Sequence, residues 1–344
     1  MSRKLISVAE YAALKGCPLE VITREPDAGL VSKQPVFGAY FKHGNMFVAR
    51  LPNVLFVRRY GALITEEGWI LSDTTLNDFA QSASTFKTLP DRPSAPWKEI
   101  SSPTAIIGGQ DNFYHWLFNW MSKFTALNGS IHRAENFLVS GPVRRFHWET
   151  LFKFDVVQQR NVYVAQNNDP IFIRDAIVPT MYSNPIHAGH HIDFLKKLIG
   201  TGARSPYGER IYVTRKDAQG GARQVLNERD VLDGLHKLGF EPVVLGDLSL
   251  AEQAAVFRDA KYIVSPHGAG LSNLIHCSPG TCVLEMQARD HYTKVFWSLG
   301  VISGSKRYDV LPCESSGSGP AYLRDITIDI DAMMRTVAEK MNLV

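Results

Sequence analysis

The stretch KYIVSPHGAGLSN, residues 261–273, decides the fold. KYIVS is a short apolar run rich in β-branched and aromatic residues, and it reads as a buried strand. It stops at Pro266. His267, Gly268, Ala269 and Gly270 then form a glycine-rich turn, and Leu271, Ser272 and Asn273 open a short helix. Glycines let the backbone approach a ligand closely, and the amides at a helix start suit an anion. No Gly-Lys-Ser/Thr follows, so this is not a P-loop, and the spacing is not the dinucleotide G-x-G-x-x-G. Taken alone, the segment also fits a plain structural turn.

The sequence around it repeats the strand-then-helix rhythm. RIYVT (210–214), EPVVL (241–245) and TCVLEM (281–286) read as strands. NERDVLDGLHKL (227–238) reads as a helix with Asn227 as N-cap and Gly239 just past its end. SLAEQAAVFRDA (249–260) opens on Ser249 and Glu252 at capping-box spacing. The pattern implies a doubly wound unit that binds its ligand at the carboxyl ends of parallel strands. At such ends stand Arg215 and Lys216, with Arg223 beyond a Gln-Gly-Gly, and Glu285 closing TCVLEM. Arginine offers a planar charged fork to phosphate, and a carboxylate at a strand end can accept from ribose hydroxyls. A solvated basic loop is the other reading of the first three.

A second alternation lies upstream. TAIIGG (104–109), NFLVSG (136–141), NVYVA (161–165) and IFIRDAIVP (171–179) read as strands. Helices are expected over 112–127, over RRFHWETLFKF (144–154) and over 190–199. Before residue 100 the chain is rich in short β-type runs: PVFGAYF (35–41), NMFVAR (45–50), VLFVRRY (54–60), ALIT (62–65) and GWILS (68–72). Pro93, Pro96 and Pro103 suggest an irregular connection. TGARSPYGE (201–209) suggests a domain boundary. DITIDI (325–330) alternates with period two, and DAMMRTVAEKM (331–341) reads as a helix capped by Asp331. The expected organisation is an N-terminal domain over 1–200 (β-rich over 1–100, α/β over 104–200), a second domain over 205–310, and a terminal strand and helix over 311–344.

DNFYHWLFNW (111–120) has an unusual composition. As a helix it is apolar nearly all round, which signals burial. Asp111, His115, Asn119 and Ser122 fall at spacings of four, four and three, on one face. One reading has Asp111 or Asn112 as a cap and His115 as a core histidine. The sharper reading turns His115 towards a cleft as a base, oriented by Asp111. An imidazole near its ordinary pKa takes up a proton at neutral pH.

Composition bounds the rest. The chain has 344 residues and a net charge of +3, which gives no case for nucleic acid. Its four cysteines form no C-x-x-C pair, and no secretory signal or long apolar span is visible. A cytoplasmic protein is expected, with peripheral contact at the inner face of a membrane left open. His187, His190 and His191 form H-x-x-H-H, and Asp329-Ile330-Asp331 is a D-x-D by letters. Both read better as structure than as metal sites.

Together, Asn112-Phe113-Tyr114-His115-Trp116, IYVTRKD followed by Arg223, and HGAGLSN leading to PGTCVLEM resemble glycosyltransferase family 61, the bacterial capsular polysaccharide type. The resemblance runs from about residue 35 to 300 and is most specific over 210–287. Ser265-Pro266 departs from the Gly-Pro that often precedes the motif. The resemblance implies an α/β, GT-B-like fold: two Rossmann-like domains facing a cleft, with a strand-rich N-terminal region. It implies inverting transfer from a nucleotide sugar, UDP-linked, to a glycan or glycolipid. Arg215, Arg223, His267, Gly268, Ala269, Gly270, Asn273 and Glu285 fall on the donor side, and His115 with Asp111 on the acceptor side. No cofactor or metal is expected, since the nucleotide sugar is a substrate and arginines can hold its diphosphate. A carbohydrate- or nucleotide-binding protein without turnover is the alternative.

Overall fold

The computed structural model describes residues 4–22, 46–58, 61–74, 98–128, 130, 132–166, 169–181, 189–202, 204–217 and 223–341. PVFGAYF, Pro93, Pro96 and His187 lie outside them. The chain divides into two compact units, Met1–Phe194 and Leu195–Val344, and the division falls inside the helix Gly189–Ile199.

The first unit is built on one ten-stranded sheet. Asn161–Ala165, Asn136–Ser140, Thr104–Gly108 and Ile171–Pro179 lie side by side and parallel. Numbered along the chain this order is third, second, first, fourth, so it reverses between Thr104–Gly108 and Ile171–Pro179. Met46–Val57 then adds antiparallel to Ile171–Pro179, and short strands from before residue 75 continue the sheet. The strands before residue 100 are therefore not a region of their own. NMFVAR and VLFVRRY, read as two strands, are one, Met46–Val57. Asn53 keeps a left-handed φ of 52° inside it, a conformation asparagine tolerates. Ile171–Pro179 pairs across the Pro-Asn step that the sequence presents as a break, and two short strands pair on the other edge before and after it.

The aromatic segment is not the continuous helix expected. Phe113–His115 is a short α-helix, Trp116–Trp120 a five-residue π-helix, and Ser122–Asn128 α-helical again. Trp116, Leu117, Phe118 and Trp120 are buried against the sheet. Trp120 covers Gly108, where an added Cβ would lie 2.5 Å from the ring. Lys123, on the helix after it, is fully buried. Its Nζ donates to the Ile106 carbonyl at 3.2 Å and sits 4.8 Å from the Trp120 ring centre.

The second unit carries six strands in the order Glu241–Val243, Arg210–Val213, Tyr262–Pro266, Cys282–Ala288, Arg307–Ser316, Asp325–Thr327. The first five are parallel and the last antiparallel. Chain order thus reverses between Arg210–Val213 and Tyr262–Pro266, the point at which an open α/β sheet leaves a crevice. The long strand Arg307–Ser316 escapes a sequence reading because Pro312 and its polar residues look like loop. The Ser249–Glu252 capping box forms as expected. Two expected caps do not form. Asn227 instead bridges to Ile328, donating to its carbonyl and accepting from its amide. The last helix is capped by Asp329, which accepts from Ala332 N at 2.9 Å, so Asp331 lies in the first turn. Among the described residues no helix is long and apolar enough to cross a membrane.

Burial pushes the Lys123 ammonium down from 10.5 to about 7, against a smaller opposing pull from Asp73. Between those pH values an unfolded chain keeps the proton and the native one releases it. The site therefore weakens the fold as pH falls from about 10.5 to about 7, and stability rises with pH across that window. Lys123→Met is expected to remove this slope. In urea unfolding, its stability relative to the parent chain improves most near pH 7 and least near pH 10. An equal offset at both would show that Lys123 does not titrate in this window.

Candidate active site

Two loops of the second unit leave the strands that flank its order reversal. Arg210–Val213 runs into Thr214, Arg215 and Lys216, and Tyr262–Pro266 into His267, Gly268, Ala269 and Gly270. Arg215 joins them, its Nη1 donating to the His267 carbonyl at 3.1 Å. A Cβ on residue 268 would lie 2.0 Å from that nitrogen. Gly268 has extended backbone, φ 174°, so it is needed for room and not for its dihedral. A Cβ at Gly270 would meet Leu245 at 2.7 Å. Asn273 is buried, and its Nδ2 donates to the Gly270 carbonyl and to Gln253 Oε1. It braces the turn from behind. Asn273 was expected on the donor side; its Nδ2 is engaged within the protein by these two acceptors.

Positive charge gathers here. Burial and the neighbouring Arg223 push Arg215 down to about 10. Burial also lowers Arg223, whose φ of 59° is left-handed and whose buried Nε has no hydrogen-bond partner among the described residues. His291, which the sequence reading missed, lies 6.2 Å from His267 between ring centres. Burial lowers it first, then the charges of His267 and Arg223. Asp217 offers Arg215 some counter-charge, and its Oδ2 also accepts from Gly246 N at 2.7 Å. Two guanidiniums and two imidazoles beyond the carboxyl ends of neighbouring strands make a cradle for a polyanion.

Glu285, expected to hold a ribose, is fully buried. Its Oε1 lies 2.5 Å from His267 Nδ1. Its Oε2 accepts from Tyr308 OH at 2.7 Å and from Gln287 Nε2 at 2.8 Å. Every lone pair needed to satisfy a buried carboxylate is thus used inside the protein. Burial, and then Glu285, raise the Tyr308 phenol well above its ordinary value, so it stays a donor. With Nδ1 committed to Glu285, Nε2 is the His267 nitrogen that a ligand meets; the side chain is 15% exposed. Gln287 was readable, since it shares a strand face with Glu285 two residues on. Tyr308 was not, because its strand was not recognised.

In the first unit, His115 follows the carboxyl end of Thr104–Gly108, beside that sheet's own order reversal. The Asn112 side chain caps the helix by accepting from His115 N. His115 Nδ1 lies 2.9 Å from Asn119 Oδ1. If Nδ1–H donates there, Nε2 carries the lone pair that a base needs. The π-turn between them is a feature often met at functional sites. The polar stripe is otherwise internal: Asn119 and Ser122 are fully buried, and Ser122 Oγ donates to the Asn119 carbonyl. Asp111 does not orient His115. Both its oxygens are taken by Arg144, at 2.8 and 2.6 Å. His191 is a core residue, its two ring nitrogens engaged by Thr125 and the Leu117 carbonyl.

The chain matches the family Glycosyltransferase 61 over residues 113–284, half of its length. It is also similar to a beta-1,2-xylosyltransferase of Arabidopsis thaliana, 28% identical over 116 residues, with 28% of this chain and 22% of that protein covered. The chain thus spans about a fifth of the length of that curated relative. The family match begins two residues before His115, takes in Arg215 and the His267–Gly270 turn, and ends one residue short of Glu285. By that match the chain belongs to glycosyltransferase family 61.

Proposed function

We propose that the protein is an inverting glycosyltransferase that moves a sugar from a UDP-linked donor to a hydroxyl of a glycan or glycolipid. The observation that carries this reading is the cluster of Arg215, Arg223, His267 and His291 around the Gly268 turn, at the strand ends flanking the order reversal. Family membership supplies the donor and acceptor classes. A GT-B-like pairing of two Rossmann-like units across a cleft, a part in bacterial surface polysaccharide synthesis and a cytoplasmic site at the inner membrane face belong to the same proposal, on the sequence resemblance.

In this mechanism the diphosphate lies against Arg215 and Arg223, and His267 donates to it from Nε2 as the imidazolium, since a neutral ring with Nδ1–H on Glu285 has only a lone pair there. The acceptor oxygen attacks the anomeric carbon from the face opposite the diphosphate. His115 Nε2 takes the hydroxyl proton as the new carbon–oxygen bond forms. The bond from the anomeric carbon to the phosphate oxygen breaks, and its electron pair leaves with the diphosphate. Preorganised cations stabilise that developing charge without reorganisation. Glu285, held by Tyr308 and Gln287, fixes the orientation of His267. Asn119 does the same for His115.

Thermal unfolding with UDP, GDP, CMP and dTDP tests the donor site. UDP at a hundred times its Kd is expected to add about 2.7 kcal/mol, and Arg215→Ala to abolish the gain. Stabilisation by another nucleotide instead would exclude UDP, and stabilisation that survives in Arg215→Ala would move the site elsewhere.

His115→Ala is expected to lower kcat by about 10² to 10⁴ while leaving UDP affinity intact. A loss smaller than about tenfold would assign the base to another residue.

Gly268→Ala is expected to displace the Arg215 guanidinium and weaken UDP binding by about tenfold or more. Unchanged affinity in calorimetry would show that the Arg215–His267 contact does not build the site.

A further inference from the structure

A second basic site lies at the other end of the second sheet. The strands Tyr262–Pro266, Cys282–Ala288 and Arg307–Ser316 begin around a cavity of about 310 Å³. Lys261, Lys306, Arg307 and Lys340 line it, with Tyr262 and Cys282 at its floor. These cations come from three separate places: the start of one strand, the start of another, and the last turn of the helix Ile330–Met341. Five residues of strand separate Lys261 from His267, about 20 Å at the usual rise over six steps, so the cavity is distinct from the donor site.

The local charges do not cancel. Lys261 pairs with Glu209 at 2.6 Å and Arg307 with Asp309 at 2.7 Å. Lys306 and Lys340 have no ion pair among the described residues. Lys306 and Arg307 both act to lower the Cys282 thiol, against the larger effect of burial and a smaller one from Asp309. In a chain of net charge +3, gathering four cations on one small concavity is not a general surface property. Like charges held together repel, and an anion bound between them removes that cost. The amides of Cys282 and Lys306 already donate to the carbonyls of Lys261 and Thr281, so recognition falls to the lysine and arginine heads. The volume is at the lower end for small-molecule sites.

We propose that this cavity binds a phosphate-bearing anion, with Lys306 and Lys340 as its principal ligands. The same chemistry is available from a soluble phosphorylated molecule and from the headgroup of an anionic lipid.

The test uses the full chain carrying Arg215→Ala and Arg223→Ala, so that the donor site does not contribute. Inorganic pyrophosphate is titrated by calorimetry, and flotation is measured with vesicles of phosphatidylcholine alone or mixed with phosphatidylglycerol. Adding Lys306→Glu and Lys340→Glu is expected to weaken the anion interaction by about tenfold or more. Lys237→Glu, on an exposed helix end, serves as the charge control and is expected to leave it unchanged. Pyrophosphate binding lost on reversal assigns a soluble phosphate ligand. Flotation with phosphatidylglycerol alone, lost on reversal, assigns a lipid headgroup. Absence of both interactions overturns the proposal, as does either one persisting after reversal. Because Lys306 and Lys340 lie at the surface, circular dichroism of the reversed chain is expected to match the parent.

Discussion

The second unit's site depends on one close contact, the Arg215 guanidinium against the peptide between His267 and Gly268. It ties together the two loops that flank the order reversal, and it leaves no space for a Cβ at residue 268. The contact also explains why the charges are buried. A guanidinium held against backbone loses water on one side, and with Arg223 nearby its proton is bound less tightly than usual. That is an unfavourable arrangement in isolation. A bound anion would offset that cost, because charge-assisted hydrogen bonds are strongest where water is excluded.

Behind this contact the sheet supplies a second layer of constraint. Glu285 is buried and has to be satisfied fully, and His267, Tyr308 and Gln287 do so together. Removing any of them would leave a buried carboxylate short of a donor, which costs far more than a surface hydrogen bond. The imidazole therefore has one orientation. The first unit solves the same problem with neutral groups. Asn119 replaces a carboxylate as the partner of His115, and a π-turn sets the spacing. Asp111, the nearer acid in sequence, is drawn away by Arg144, whose bidentate geometry is the better match for a carboxylate.

Parallel strands with helical crossovers were legible because most of the buried strands are short apolar runs, and Leu250–Asp259 carries its own capping box. Ile171–Pro179 and Asn161–Ala165 have the bounds that the run of apolar letters suggests. Elements stabilised by neighbours were not legible. Met46–Val57 runs through Pro52 and Asn53 because Ile171–Pro179 pairs across them, and Arg307–Ser316 contains Pro312 yet pairs along Cys282–Ala288. The site divided in the same way. Glycine turns and arginines at strand ends carry their chemistry in the local sequence. The direction in which Glu285, Asp111 and Asn273 point is set by residues 18, 33 and 20 positions away in the chain. Local spacing holds no record of such partners.

The two ends of the second sheet differ in how they hold positive charge. At the carboxyl ends the cations are half-buried or deeper and packed against backbone, so their positions are fixed before any ligand arrives. At the amino ends Lys261 and Lys306 are exposed and Lys340 half-buried, all on long stems whose charges salt screens. Catalysis needs the first arrangement, because a developing charge is stabilised only by dipoles already in place. Retention of a passing anion needs only the second. The difference in burial is therefore what the two proposed roles, stabilising a transition state and retaining an anion, would require, although both sites are made from the same few residue types.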